Sequence, residues 1–163
     1  MRVGIGHDTH RLVAGRPLIL CGVRIDHSKG LAGHSDADVG LHALTDAILG
    51  AVGLGDIGDA FPDTDPMWKN ADSAVFLKAA LDRIKGKGYR LVNVDLILFA
   101  QEPKLGPLKQ KMRERLAQLL GLDIDAVNVK AKTGESVGHI GRGEAIAAQA
   151  IVLMSEDSRQ PAA

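Results

Sequence analysis

The sequence predicts an α+β fold: a two-layer sandwich with a mixed, four- to five-stranded sheet and helices on one face. Two observations predict it. Stretches of β-type character stand at the start (Val3 to His10), in the second half (Leu91 to Leu98) and near the end (Ala145 to Met154). Between them, apolar residues recur at helical spacing, so the element order reads β-β-α-α-β-α-β-β. That order gathers helices on one side of a sheet.

The first strand is expected over residues 2–12. In Val3-Gly4-Ile5-Gly6-His7-Asp8-Thr9-His10, Asp8 and His10 stand two apart. Residues i and i+2 of a strand share a face, roughly 7 Å apart along the chain. A carboxylate and an imidazole aimed the same way can hold one metal ion. A second strand is expected over residues 18–25, after the turn at Ala14-Gly15-Arg16-Pro17, followed by a loop from Asp26 to Ala32.

Ser35 or Asp36 is the expected N-cap of a helix running to about Val52. Leu41, Leu44, Ile48 and Val52 form its buried stripe, and His42 projects beside that stripe as a third candidate ligand. Asp38 and Asp46 lie one turn to either side of His42. They either orient a ligating imidazole or form a solvated polar face. Two His and one Asp leave a tetrahedral zinc with an open position, the catalytic pattern.

The loop from Gly53 to Pro66 holds Asp56, Asp59, Asp63 and Asp65 among three glycines. Such carboxylates suit substrate hydroxyls or a hard cation such as Mg²⁺, or they cap local turns. A second helix is expected over residues 72–87, capped by Asp72 or Ser73, and a strand from Tyr89 to Ala100. Gln101-Glu102-Pro103-Lys104 turns the chain. A third helix is expected from about Pro107 to Leu120, with Gly121 just past its end. Its basic outer face, Lys109, Lys111, Arg113 and Arg115, reads as solvated. Val127 to Ala131 is a fourth strand. It leads into the polar loop Lys132-Thr133-Gly134-Glu135-Ser136. A second Gly-rich loop, Gly138 to Glu144, carries Arg142, whose guanidinium suits a bidentate phosphate. One domain is expected over residues 1–155, with 156–163 as a disordered tail.

Composition narrows the function classes. Twenty basic and twenty acidic residues cancel, so no general attraction to nucleic acid or an anionic membrane is implied. Three Phe, one Tyr and one Trp are too few for a base-stacking platform. The single Cys21 stands in an apolar run as a core filler, and a reducing cytoplasm fits. No apolar run approaches the ~20 residues of a membrane span.

Taken together, the constellations resemble the 2-C-methyl-D-erythritol 2,4-cyclodiphosphate synthase family. The resemblance runs over nearly the whole chain. It is carried by Ser35-Asp36-Ala37-Asp38-Val39-Gly40-Leu41-His42-Ala43-Leu44-Thr45-Asp46-Ala47, with Gly6 to His10, Leu54 to Gly58, Phe61 to Pro66, Asn128 to Thr133 and Gly141 to Glu144 around it. It implies a cytoplasmic enzyme of the non-mevalonate isoprenoid pathway. The enzyme would convert 4-diphosphocytidyl-2-C-methyl-D-erythritol 2-phosphate to the cyclic diphosphate and release CMP.

The resemblance also implies a homotrimer with active sites between neighbours. One zinc per subunit would be held by Asp8, His10 and His42. Thr9, His34 and Ser35, with Asp56, Ile57 and Gly58, would line the erythritol-phosphate side. So would Phe61, Pro62, Asp63, Thr64 and Asp65. The cytidine diphosphate side would come from the neighbouring subunit, through Ala100, Gln101, Glu102, Pro103, Lys104, Leu105 and Gly106 and through Ala131, Lys132, Thr133, Gly134 and Glu135. Glu135 would help place a second cation, Mg²⁺ or Mn²⁺, and His34 and Thr133 would stabilise the transition state. His139 and Arg142, with Glu144, would lie near a cavity on the trimer axis able to hold an isoprenoid diphosphate. His7 and His139 stand where the family often has aromatics, which makes that cavity more polar, and Lys132 replaces a small hydroxyl residue. Two other readings use the same residues: a metal-dependent phosphohydrolase that releases linear products, and a non-catalytic module that binds a nucleotide or isoprenoid diphosphate.

Overall fold

Strand β1 (Arg2–Ala14) lies second from one edge of a five-stranded sheet in the computed structural model, which describes residues 1–157. The sheet order is β4 (Lys29–Leu31), β1, β7 (Ala145–Glu156), β5 (Tyr89–Phe99), β6 (Val127–Lys132). Only β5 and β6 pair in parallel; the other three pairings are antiparallel, so the sheet is mixed as expected. Three longer helices cover it: α1 (Val39–Ala51), α3 (Ala74–Gly86) and α4 (Lys109–Leu120). Two single-turn helices, α2 (Ile57–Ala60) and α5 (Gly138–Gly141), lie in the two Gly-rich loops.

The alternation of burial along the strands shows which face the helices cover. Gly4 and Gly6 of β1, Ala148, Ala150, Val152 and Met154 of β7, and Leu96 and Leu98 of β5 are buried. They meet Leu41, Leu44, Ile48, Leu77, Met112 and Leu116 of the helices in one core. The intervening residues point to the other face, which no helix among the described residues covers. There Val3 is 67% exposed, Ile5 61% and Ile151 46%. Ile5 pairs with Ile151, which pairs with Asp95 and through it with Asn128, so one row crosses four strands.

Helix α1 lies unusually close to β1, for a reason written in the sequence. A Cβ on Gly4 would overlap the carbonyl oxygen of Ala47, and one on Gly6 that of Ala43. Glycines on the strand and alanines on the helix remove the side chains that would hold the two backbones apart. The contact sets His42, next to Ala43, within reach of Asp8 and His10.

Several boundaries differ from the expectation. Residues 18–25 are a hairpin, not one strand: β2 (Leu18–Leu20) and β3 (Val23–Ile25) flank a turn in which Cys21 and Gly22 have φ of 55° and 72°. The expected loop at 26–32 contains β4. The N-cap of α1 is Asp38, whose side chain accepts from the Gly40 and Leu41 amides, rather than Ser35 or Asp36. Ser73 stands at the N-cap of α3 but makes no capping bond; Asp72 Oδ1 accepts from the Ala74 amide at 2.8 Å instead. The last strand runs through Glu156, past the expected start of a tail, and residues 158–163 of that tail lie outside the described residues. Arg113, expected on a solvated face, turns inward to donate to the carbonyls of Val127 and Ile124 at 2.9 and 3.0 Å. Among the described residues, no helix is long and apolar enough to cross a membrane.

Candidate active site

Asp8 and His10 leave the same face of β1, and α1 brings His42 against them. Asp8 Oδ2 lies 2.9 Å from His10 Nε2 and 3.0 Å from His42 Nδ1, and the two imidazole nitrogens are 3.1 Å apart. Among the described residues, these three form the one group of His, Cys, Asp or Glu able to hold a metal ion. Tetrahedral zinc with bonds of ~2.0 Å keeps its ligand atoms about 3.3 Å apart. Three donors already converged to about that spacing, two imidazole nitrogens and one carboxylate oxygen, fit a small divalent cation.

The electrostatics agree. Burial by itself would raise the Asp8 carboxyl, but hydrogen bonds to His10 and His42, and their charge, hold it well below the usual carboxylate range. The site therefore presents a permanent anion between two imidazoles.

Of the two flanking carboxylates, neither touches the His42 ring. Asp38 is fully buried and accepts from the amides of Cys21 (2.8 Å), Gly22 (2.6 Å), Gly40 and Leu41 (3.1 Å each). It ties the β2–β3 turn to the start of α1. Asp46 accepts from the Ile57 amide at 2.8 Å and so anchors α2. Burial raises its carboxyl above the ordinary value. The far side of the His42 ring instead meets two hydroxyls: Nε2 lies 2.9 Å from Ser73 Oγ and 3.2 Å from Ser35 Oγ.

A cleft of about 480 Å³ opens beside the cluster, lined by His10, His34, Ser35, His42, Ile57, Gly58, Phe61, Pro62 and Asp63, with Trp68 and Phe76. His34 Nε2 donates to the Asp65 carbonyl at 3.1 Å, and Arg16 holds the same loop through the Gly33 and Ser35 carbonyls at 3.1 and 2.6 Å. Asp56 caps α2 through the Asp59 amide at 2.9 Å, and Asp65 caps the turn at Pro66–Trp68 through the Met67 amide at 2.9 Å. Thr64 is exposed and does not line the cleft. The Thr9 side chain lies on the opposite face of β1, 3.2 Å from His7 Nε2. Its amide donates to Asp8 Oδ1 at 2.8 Å, so Thr9 meets the cluster through its main chain.

The residues expected on the cytidine side gather elsewhere. Ala100, Pro103, Lys104, Leu105 and Gly106 face Ala131, Lys132 and Thr133 around a smaller pocket of about 140 Å³. Gln101 and Glu102 belong to the same loop without lining it. Thr133 Oγ1 donates to Glu135 Oε1 at 2.6 Å. Gly134 packs so tightly on Gly141 that a Cβ would strike its backbone, and Glu135 and Ser136 follow with φ of 48° and 62°. The two pockets share no lining residue: His34 lines the first and Thr133 the second. Arg142 pairs with Glu144 at 2.7 Å, and both are exposed, as is His139.

Trp68 and Phe76 line the first pocket, and Arg16 and Ser73 support its loop and its His42 ring, without having been expected there. Ser73 reads as a helix cap in sequence, and Arg16 as a turn residue. For Trp68 and Phe76 the one available signal is that Phe61, Trp68 and Phe76 form a single ring cluster with centroids 4.8–5.5 Å apart.

Known proteins share nearly all of this chain's extent. A model of the YgbB family matches residues 1–155. The 2-C-methyl-D-erythritol 2,4-cyclodiphosphate synthase of Bordetella avium is 57% identical over 157 residues, covering 96% of this chain and 97% of the relative. The bifunctional enzyme IspD/IspF of Caulobacter vibrioides is 58% identical over 94% of this chain, which spans 40% of that longer protein. A solved 2C-methyl-D-erythritol-2,4-cyclodiphosphate synthase in its CDP-bound form superposes with a TM-score of 0.88 at 43% identity, covering 94% of this chain and all of that one. With a family match over nearly its full length and relatives more than half identical, the chain belongs to the YgbB family.

Proposed function

We infer that the chain is a 2-C-methyl-D-erythritol 2,4-cyclodiphosphate synthase, a phosphorus–oxygen lyase of isoprenoid biosynthesis. The observation that carries the reading is the Asp8–His10–His42 cluster at the mouth of the larger cleft, in a chain 57% identical to a synthase of that name. The substrate is 4-diphosphocytidyl-2-C-methyl-D-erythritol 2-phosphate. Its 2-phosphate oxygen forms a bond to the β-phosphorus while the bond from that phosphorus to the α–β bridging oxygen breaks, and CMP departs with the electron pair. A phosphate monoester has a second pKa of about 6, so the nucleophile is already an anion and needs no general base. The Ser73–His42–Asp8 line of contacts is therefore not required to act as nucleophile and base.

Asp8, His10 and His42 would hold a divalent ion, zinc by donor type, which would supply positive charge to the phosphoryl group under attack. His34 donates a hydrogen bond where charge develops, and its loop is held in place by Arg16. The Phe61–Trp68–Phe76 wall excludes water from the folded substrate, and Ile57 and Gly58 close its edge. On the cytidine side, Lys104 and Lys132 offer charge to the diphosphate, Thr133 a further donor and Glu135 a ligand for a second cation, Mg²⁺ or Mn²⁺. These residues act from a neighbouring subunit, because one chain leaves the two pockets apart. A homotrimer built through the uncovered sheet face, with its exposed Val3, Ile5 and Ile151, supplies that neighbour.

Phosphorus NMR of the diphosphocytidyl substrate with purified protein, before and after stripping and restoring the metal, tests the reading. Two coupled resonances of a cyclic diphosphate, appearing with CMP and only with a divalent ion, are expected. CMP with linear phosphates alone would point to hydrolysis instead, and binding without turnover to a non-catalytic module.

A further inference from the structure

We propose that Asp46 is a positioning residue for substrate binding: from α1 it holds the Ile57–Gly58 edge of the larger cleft at a set distance from the metal cluster. The proposal rests on the functional reading above.

Asp46 is costly where it stands. Between Val39 and Leu49 it is the one residue of α1 that is not buried. The close contact of α1 on β1 fixes where its side chain starts, since a Cβ on Gly6 would meet the Asp46 Cβ as well as the Ala43 carbonyl. The residue is half-buried, and among the described residues no Lys, Arg or His pairs with it. Burial raises its carboxyl, the Ile57 amide pulls the other way, and the charges of Asp56 and Asp8 add to the rise. A partly desolvated anion beside two others is disfavoured. The direct contact that offsets this is the hydrogen bond from the Ile57 amide to Asp46 Oδ1 at 2.8 Å.

Helix α2 depends on that bond. It is a single turn of four residues, none of them buried. Ala60 touches the edge of the core, and Asp56 closes the turn from within through the Asp59 amide. Among the described residues, the Ile57–Asp46 bond is the one hydrogen bond that ties residues 56–61 to another part of the chain. Ile57 and Gly58 line the cleft, and Phe61 follows as part of its aromatic wall. Asp46 itself stands one turn after His42 on the same helix. One rigid element thus carries a candidate metal ligand and holds one wall of the cleft. The spacing between the metal cluster and the hydroxyl-bearing end of the substrate is then set by α1. This role requires a hydrogen-bond acceptor at Asp46, not a charge.

Steady-state kinetics of CMP release, zinc content by elemental analysis and hydrogen exchange of the Ile57 amide test this on the metal-loaded protein. Asp46→Ala is expected to raise KM about tenfold, the effect of one lost hydrogen bond, with kcat within about threefold. It should keep its zinc, and its Ile57 amide should lose protection from exchange. Asp46→Asn keeps a carbonyl acceptor, so its KM is expected within about threefold of wild type. Ile57→Pro removes the donor without touching α1, and proline suits the first position of a helix. With the bond already absent, adding Asp46→Ala to Ile57→Pro should raise KM little further. An unchanged KM in Asp46→Ala, an Asp46→Asn variant as impaired as Asp46→Ala, or additive effects of Asp46→Ala and Ile57→Pro would overturn the proposal. So would loss of zinc from Asp46→Ala, which would tie Asp46 to the metal site instead. Should Asp46→Ala fail to fold, Ile57→Pro decides, and a KM equal to that of wild type overturns the proposal. A wild-type chain that releases no CMP would sink the functional reading and the proposal with it, whereas the other adverse outcomes strike the proposal alone.

Discussion

Asp8 is the one permanent charge among the three candidate ligands, and its neighbours keep it ionised far below neutral pH. Metal binding therefore does not have to displace a proton from it. Asp8→Ala is expected to leave the far-UV circular dichroism unchanged, to bring bound zinc below one equivalent by elemental analysis, and to take CMP release to background. A variant that keeps both metal and turnover would remove Asp8 from the ligand set. His34 differs in kind, because it reaches the cleft from a loop and touches no candidate ligand. His34→Ala should retain zinc and lower kcat about 100- to 1,000-fold, the usual effect of losing one donor to a developing charge. Loss of zinc from that variant would show that His34 acts on the metal site instead. The period of a strand was enough to pair Asp8 with His10 in sequence. No period relates Ser73 or Arg16 to the cluster, since each arrives from a separate turn.

At the level of elements, the contact of α1 on β1 decides whether a site exists. A Cβ on Gly6 would run into the Ala43 carbonyl, a backbone atom that has nowhere to go. Gly6→Ala is expected to destabilise the chain by about 1–3 kcal/mol as an overpacked contact and to weaken zinc binding as His42 moves off. Gly50, on the same helix, has nothing within 4 Å of its Cβ position, so Gly50→Ala should stabilise by about 1 kcal/mol and leave zinc affinity alone. Equal effects from the two would mean that α1 does not set the metal geometry. The cap of the same helix gives a pH signature. Burial pushes the Asp38 carboxyl up to about 6, against the opposing pull of the Gly22, Cys21 and Leu41 amides. A group whose folded value is raised binds its proton more tightly in the folded state. Its contribution is thus full below about pH 4 and lost as pH rises through about 6, an effect of about 3 kcal/mol. Denaturation of wild type and Asp38→Asn across that window should differ in slope, with the wild type falling more steeply as pH rises. Parallel curves would mean that Asp38 is ionised in the fold as readily as in the open chain. The helix periods and the Gly-rich loops were readable in sequence because each spans several turns or several residues. The β2–β3 turn was not, because Cys21 carries no turn signal and is driven to positive φ by its place in the fold. Nor was the true cap of α1, because Ser35 and Asp36, the better cap candidates by position, are engaged by His42 and Ser73. A four-residue helix such as α2 is too short for any period to register.

For the whole molecule, the separation of the two pockets is the property with the largest consequence. One chain carries Asp8, His10, His34 and His42 around the first pocket and Thr133 beside the second, with Glu135 bonded to Thr133. In the proposed trimer each active site takes its first half from one subunit and its second from the next. Two inactive variants can then rescue one another. His42→Ala destroys the first half and leaves the second intact; Thr133→Ala does the reverse. Unfolded separately, mixed in equal amounts and refolded together, they should assemble at random. About a quarter of the interfaces will then join two intact halves, so about a quarter of wild-type activity should return. Each variant refolded alone should stay inactive. If the mixture also stays inactive while light scattering shows mixed assemblies, the site lies within one subunit, and the two pockets must close on each other by a movement of the chain. If Ile5→Asp abolishes both the assembly and the rescue, the uncovered sheet face is the surface that brings the halves together.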